Sequence, residues 1–343
     1  MTKKILLICG SLNQTTIMHQ ISQHLPGYEC YFTPFYADYF LGWMSQAGLL
    51  DFSILGGRHR MLTEDYLRKE HLPLDVAGKK RDYDLIVTAT DIIVQQNLLG
   101  KRVILVQEGM TEPEDLSYQL VRHLKLPRFL ANTAATGLSN AYDVFCVASP
   151  GYRDLFIKKG IRPNKMVVTG IPNFDYASQY LKNNFPHHNF VLAATSSTRE
   201  TLKFDNRMLF LEKVRTIAAG RPVIFKLHPN ENYPRAIDEI NQVLPDALVL
   251  TDGNVHEMIA NCAVLVAQRS SVIYTGIALG KEVHAELETP VLKKLLPVQN
   301  GGKSAYRIAQ VCSQLVEMSS AELNNYRIKG QARAKWRFSD QTS

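Results

Sequence analysis

The segment Phe225-Lys226-Leu227-His228-Pro229-Asn230-Glu231 carries an apolar run into a histidine that is followed at once by proline. The run predicts a buried strand, and Pro229 marks where the chain leaves the sheet. In a parallel α/β domain that exit faces the ligand crevice. There the imidazole N–H of His228, with the Lys226 ammonium beside it, can meet a phosphate. A histidine that merely closes a strand end is the plainer alternative; its placement and the polar Asn230-Glu231 favour the chemical one. A second segment, Val266-Ala267-Gln268-Arg269-Ser270-Ser271-Val272, runs from a strand through Arg269 into two serines at a helix start. Hydroxyls and free amides at such a point suit a diphosphate, although one serine would suffice as an ordinary N-cap.

Three further segments stand at strand ends. Gln107-Glu108-Gly109 offers a carboxylate, Glu108, that could take the proton of an acceptor hydroxyl. Gly10-Ser11-Leu12-Asn13 follows the first apolar run and could bind an anion or an acceptor through Gly10, Ser11 and Asn13. It lacks the glycines of a dinucleotide fingerprint and is no P-loop. Val168-Thr169-Gly170-Ile171-Pro172-Asn173-Phe174-Asp175 lies at the seam between two halves. Gly170 and Pro172 there serve equally well as a stiff hinge or as a ligand contact.

The elements that must position these residues form a repeating pattern. Short apolar runs at 4–9, 28–33, 85–88, 103–107, 144–148 and 165–169 alternate with segments of helical periodicity such as 17–25 and 151–159. After the polar stretch 183–189 the rhythm restarts, with strands expected at 190–194, 223–227, 247–250 and 264–267. Helices are expected at 207–219, 234–244, 256–261 and 272–278. Alternation of this kind argues for parallel sheets covered by helices. At 343 residues the chain also suits two domains better than one core. The expected division is 1–175, then 185–320, then a basic helical tail 321–343 packing back toward the first domain. The aromatic-rich stretch 31–44 is read either as core or as an acceptor- or membrane-contact patch.

Bulk properties exclude several classes. No apolar run approaches the ~20 residues that cross a bilayer. The apolar start at Ile5 breaks at Gly10, too soon for a signal-peptide core, so a cytoplasmic protein is expected. The 5 cysteines are scattered without a C-x-x-C pair, which favours reduced buried thiols over disulfides or zinc; no metal and no cofactor are expected. The net charge of +7 is diffuse except at Arg327, Lys329, Arg333, Lys335 and Arg337. No nucleic-acid-binding pattern accompanies it, and an anionic substrate or anionic lipid surface accounts for it as well.

Lys226-Leu227-His228-Pro229 followed by Ser270-Ser271 resembles the second half of CDP-glycerol glycerophosphotransferases and related capsule and polysialic-acid transferases. The resemblance spans 103–281 and implies a GT-B architecture: two Rossmann-like, doubly wound domains facing a central cleft. It implies that His228 and the serines bind donor phosphates, with Lys226, Arg269, Gly170 and Pro172 beside them. Glu108 takes the place of the families' His-Gly histidine as the base. Gly170, Pro172 and Asp175 match the families' Gly-x-Pro-Arg-x-Asp segment, with Asn173 in place of Arg. Two acidic positions of those families are held by Gln268 and Tyr274. The expected function is transfer of a glycosyl or glycerophosphoryl group from a UDP- or CDP-linked donor to a saccharide or lipid-linked acceptor, in cell-envelope synthesis. A peripheral contact with the inner face of the membrane goes with it. The chain is also similar to UDP-N-acetylglucosamine 2-epimerase at Val168-Thr169-Gly170 and His228-Pro229-Asn230, but Gln107 and Ile273-Tyr274-Thr275-Gly276 stand where that family carries carboxylates. Epimerase activity, or ligand sensing without turnover, are the alternatives.

Overall fold

A computed structural model describes residues 2–112, 114, 116–124, 126–201, 205–329, 336 and 338. The chain divides into two compact units: the first runs to Asp175 and resumes at Asn300, and the second is Tyr176–Gln299.

The first unit holds a parallel sheet of β1 (Lys4–Cys9), β2 (Glu29–Pro34), β3 (Leu85–Thr88), β4 (Val103–Val106), β5 (Val144–Val147) and β6 (Met166–Val168), in the order β2-β1-β3-β4-β5-β6. β3, β4 and β5 are buried along their whole length, as strands covered on both faces must be, and this is why they read as unbroken apolar runs. Helices α1 (Leu12–Gln23), α2 (Tyr39–Gln46), α3 (Gly57–Lys69), α4 (Leu116–Leu124) and α5 (Pro150–Lys158) belong to this unit. The second unit holds β7 (Val191–Ala194), β8 (Val223–Lys226), β9 (Leu248–Leu250), β10 (Val264–Ala267) and β11 (Glu282–His284), all parallel, in the order β11-β10-β7-β8-β9. Around it lie α6 (Arg207–Ala218), α7 (Tyr233–Val243), α8 (Val255–Asn261), α9 (Ile273–Ala278) and α10 (Thr289–Leu295). Phe210, Leu211, Phe225, Ile240 and Val266 form the core between β7, β8, β10, α6 and α7.

Each sheet reverses its strand order once, between β1 and β3 in the first unit and between β7 and β10 in the second. Ligands of open α/β sheets bind beyond the carboxyl ends of strands at such reversals. The turns Gly10-Ser11 and Thr195-Ser196, which follow β1 and β7, are therefore the places to look.

Most expected strands fall within a residue or two of their observed bounds. α1 begins at Leu12, earlier than its apolar periodicity suggested, because the Ser11 hydroxyl caps it by accepting from Gln14 N. β11 was not anticipated; it is three residues long, polar and at a sheet edge. The polar stretch 183–189 packs within the second unit, where Asn261 donates to Asn183 Oδ1 at 2.6 Å and Asn189 N donates to Asn261 O at 3.0 Å. Residues 300–320, expected to continue the second domain, rejoin the first unit instead. There α11 (Ser304–Glu317) buries Ile308, Val311, Cys312 and Leu315. In α12 (Ser320–Lys329), Tyr326 and Arg327 bond Asp143 in the same unit. Of the basic tail, Arg333, Lys335 and Arg337 lie outside the described residues.

Candidate functional site

In the first unit the structure gathers three segments that are far apart in sequence. The Glu108 carboxylate receives the Ser11 hydroxyl at 2.9 Å and the Asn13 amide at 3.0 Å on Oε1, and the Gln14 amide on Oε2. All three donors stand on the first turn of α1 or its cap, where the helix's own amides and dipole favour negative charge. The anion site expected at Gly10, Ser11 and Asn13 is thus filled by the protein's own carboxylate. Gly10 is there because Gln14 folds back over it: a Cβ at that position would lie 1.8 Å from Gln14 Oε1. Asn173 completes the ring, donating to Asn13 and to Thr16 Oγ1 (3.1 Å) and accepting from Gln20 at 2.8 Å. His59, from α3, adds its charge interaction with Glu108; burial pushes the imidazole pKa down and Glu108 opposes that shift.

Gly170 and Pro172 serve this same unit. Gly170 has φ +88°, and a Cβ there would lie 2.1 Å from Ser304 Oγ at the start of α11. Pro172 is buried in a 3-10 turn, and Asp175 accepts from Ser304 N at 2.7 Å. The segment therefore closes the returning helix against β6, and burial raises the Asp175 pKa. Gln107, next to Glu108, is 1% exposed; its amide donates to Gly109 O and accepts from Ala148 N, both at 2.9 Å.

In the second unit, the carboxyl ends of β10, β7 and β8 bring Gln268–Ser271, Thr195-Ser196 and His228–Glu231 to one rim. His228 Nδ1 accepts from Asn230 N at 3.2 Å, which puts the ring proton on Nε2 and makes that nitrogen a donor. His228 N donates to Thr195 Oγ1 (3.0 Å) and to Glu231 Oε2 (2.8 Å). Glu231 also receives the Thr195 hydroxyl and Arg207, and Arg207 lies 3.5 Å from Asp205. These three ionic side chains are almost wholly enclosed, at 3% exposure for Arg207 and 1% each for Glu231 and Asp205. Asp205 in turn accepts from Gln268 at 2.8 Å, and Ser196 donates to Gln268 Oε1 at 3.3 Å. A buried chain of charges and amides thus ties the His228 loop to the loop carrying Ser270 and Ser271.

Within that loop Ser270 Oγ accepts from Val272 N at 3.4 Å, and α9 starts after Val272 without a side-chain cap. The expectation that Ser270 or Ser271 caps this helix gives way to a tight turn before it. Lys226 turns its ammonium to Leu227 O (3.0 Å) and Thr251 O (2.8 Å), and burial lowers its pKa. Arg269 is exposed and ion-paired with Glu286. Both cations fasten backbone or loop. Thr195, Ser196, Asp205 and Arg207 were not singled out from sequence, and Glu231 was noted only as a polar neighbour of His228. Their signal was faint: polar residues just past an apolar run, with partners many positions away.

No family model matches the sequence, and no curated protein is similar to it in sequence. Solved structures do match over nearly the whole chain. An S. aureus MnaA–UDP co-structure is 12% identical with a TM-score of 0.57, covering 98% of this chain and 100% of that one. A putative UDP-N-acetylglucosamine 2-epimerase from Listeria monocytogenes is 13% identical (TM-score 0.55; 93% and 98% covered). UDP-GlcNAc 2-epimerase from Methanocaldococcus jannaschii, in complex with UDP-GlcNAc and UDP, is 14% identical (TM-score 0.54; 91% and 99%). At such identities the likeness defines the fold, and that fold is GT-B-like: two Rossmann-like α/β units in one chain.

Proposed function

We propose that the chain is a transferase that takes a glycosyl or glycerophosphoryl group from a nucleotide-diphosphate donor to an acceptor hydroxyl. The observation that carries this reading is the rim of the second unit. A donor nitrogen with a fixed tautomer (His228 Nε2) after β8 and the Ser270-Ser271 turn after β10 stand on either side of β7, at the topological reversal, held by an enclosed ionic chain. Diphosphate oxygens there accept from His228 and from the hydroxyls and amides of the turn, while Lys226 holds the backbone at Leu227 and Thr251 and Arg269 pairs with Glu286. As the donor bond breaks, the nucleotide phosphate leaves with the bonding electron pair. The acceptor oxygen forms the new bond and gives its proton to Glu108, oriented by Ser11, Asn13 and Gln14.

A UDP-sugar 2-epimerase is the second reading, favoured by the similar solved structures, two of which are described as such epimerases. Against it, the amide of Gln107 is locked between two backbone groups where the epimerase resemblance calls for a carboxylate, and Tyr274 is wholly buried. The two readings part on one experiment. Wild-type protein is incubated with UDP-GlcNAc, and with UDP- and CDP-linked donors plus saccharide or polyol acceptors, and followed by NMR. The transferase reading expects nucleotide release only when acceptor is present. Inversion at the sugar C2 without acceptor would replace it by the epimerase.

A further inference from the structure

A cavity of about 260 Å³ opens in the first unit at the amino ends of the neighbouring strands β4, β5 and β6. This is the edge of the sheet opposite Glu108, which follows the carboxyl end of β4. Lys101 precedes β4, Asp143 precedes β5, and Arg162 and Lys165 precede β6, so parallel strands bring these side chains to one place. Arg327 reaches the same cavity from α12, and Leu98 and Leu99 line its apolar side.

The charges there do not cancel. Lys101 pairs with Asp82, and Arg327 pairs with Asp143 at 2.7 Å. Lys165 gives its ammonium to neutral oxygens, Asn140 Oδ1 at 2.9 Å and Tyr142 O at 2.7 Å. Burial pushes the Lys165 pKa down; Asp143 opposes that shift, while Arg162 and Arg327 add to it. Among the described residues, no hydrogen bond or ion pair holds the Arg162 guanidinium. Four cations thus meet two carboxylates, and the charges of Arg162 and Lys165 are left without a partner of opposite sign. Lys165 and Arg327 also fasten backbone, since Arg327 donates to Lys101 O at 2.8 Å. Arg162 fastens nothing, and its guanidinium stands beside an open cavity.

We propose that this cavity binds a phosphomonoester, a small organic phosphate with a compact apolar body. Near neutral pH such a group carries between one and two negative charges, which the two unmatched cations complement. Arg162 presents its guanidinium fork to the phosphate oxygens. Arg327 spends Nε and Nη2 on Asp143 and Lys101, which leaves Nη1 to donate as well. Lys165 supplies charge without leaving its carbonyls, and the apolar body rests on Leu98 and Leu99. A space of this size is below that of drug-sized ligands, so that body is small. The site is distinct from both rims and does not depend on which reaction they perform.

Phenyl phosphate, phenyl sulfate and phenol, each titrated into the protein and followed by amide NMR, test it. Phenyl phosphate should shift the amides of Gly100, Lys101 and 141–143. Phenyl sulfate, with one charge, should bind more weakly, and phenol should not bind. Arg162→Glu, at an exposed position whose side chain bonds nothing among the described residues, keeps the fold. It should weaken phenyl phosphate by roughly tenfold or more, the worth of a charge-assisted contact, and Arg162→Lys should retain part of the affinity. His228→Ala should leave these shifts as they are. Absence of shifts at Gly100 and 141–143, equal binding of phenol or phenyl sulfate, unaltered affinity in Arg162→Glu, or loss of the shifts in His228→Ala would overturn the proposal.

Discussion

The two sheet rims are built alike and equipped oppositely. Each lies past the carboxyl ends of parallel strands at a reversal of strand order. In the first unit the N-terminus of α1, a natural anion site, is already occupied by Glu108 and its three neutral donors. In the second unit the carboxylates Glu231 and Asp205 are buried beneath the rim, paired with Arg207, and the outer layer is left to His228 and serine hydroxyls. The same topology thus presents an oriented carboxylate in one place and hydrogen-bond donors in the other. A proton acceptor and a phosphate cradle are the two parts that group transfer needs. The difference teaches that position in a Rossmann-like sheet selects where chemistry happens, while the sign of the group held there selects which chemistry.

If the enclosed ions of the second rim are a supporting frame, cutting one should cost far more than cutting any exposed pair. Arg207→Ala leaves Glu231 enclosed without its cation and Asp205 with Arg199 alone, 3.8 Å away, and should lower stability by about 3–5 kcal/mol in urea unfolding. Arg215→Ala, which loses only the exposed partner Glu212, should stay within about 1 kcal/mol of wild type. Equal losses for the two would remove the frame from the account.

A smaller effect comes from His256 on α8, which stacks on Tyr180 with centroids 4.8 Å apart and meets Thr275 Oγ1 at 2.8 Å. Burial pushes its pKa down to about 4, below the 6.5 of a free imidazole. Between these values the unfolded chain binds a proton that the native ring refuses. The stability that neutral His256 contributes is therefore complete above pH 6.5 and lost as the pH falls toward 4. The loss should not exceed about 3 kcal/mol. His256→Gln should flatten that part of the pH–stability curve; an unchanged slope would place the titration elsewhere.

Much of this frame was legible in the sequence. β1, β3 and β10 were read to the residue, because strands buried on both faces are unbroken apolar runs. His228 and Glu108 were legible as polar residues at strand ends. Their partners were not. Glu108 meets Ser11 across 97 positions, and Arg207 reaches Glu231 across 24, so no local spacing announces either pair. Gly170 illustrates the same limit: its glycine was plain to see, but its reason, the approach of Ser304 on α11, depends on the chain returning to the first unit after Gln299. Lys226 looked like a phosphate cation because its sequence neighbours are phosphate-binding in type. Its ammonium is nonetheless taken by two backbone carbonyls.

The division of labour between the rims is tested most directly by calorimetry on two variants side by side, His228→Ala and Glu108→Gln, titrated with the nucleotide donor that the acceptor-dependent assay identifies. Removing the His228 donor should weaken binding by roughly ten- to a hundredfold, the worth of one charge-assisted contact. Glu108→Gln should bind the donor as the wild type does while single-turnover transfer slows by about 10²–10⁴-fold. Unchanged affinity in His228→Ala, or lost affinity in Glu108→Gln, would contradict the assignment of donor phosphate to the second rim and proton transfer to the first.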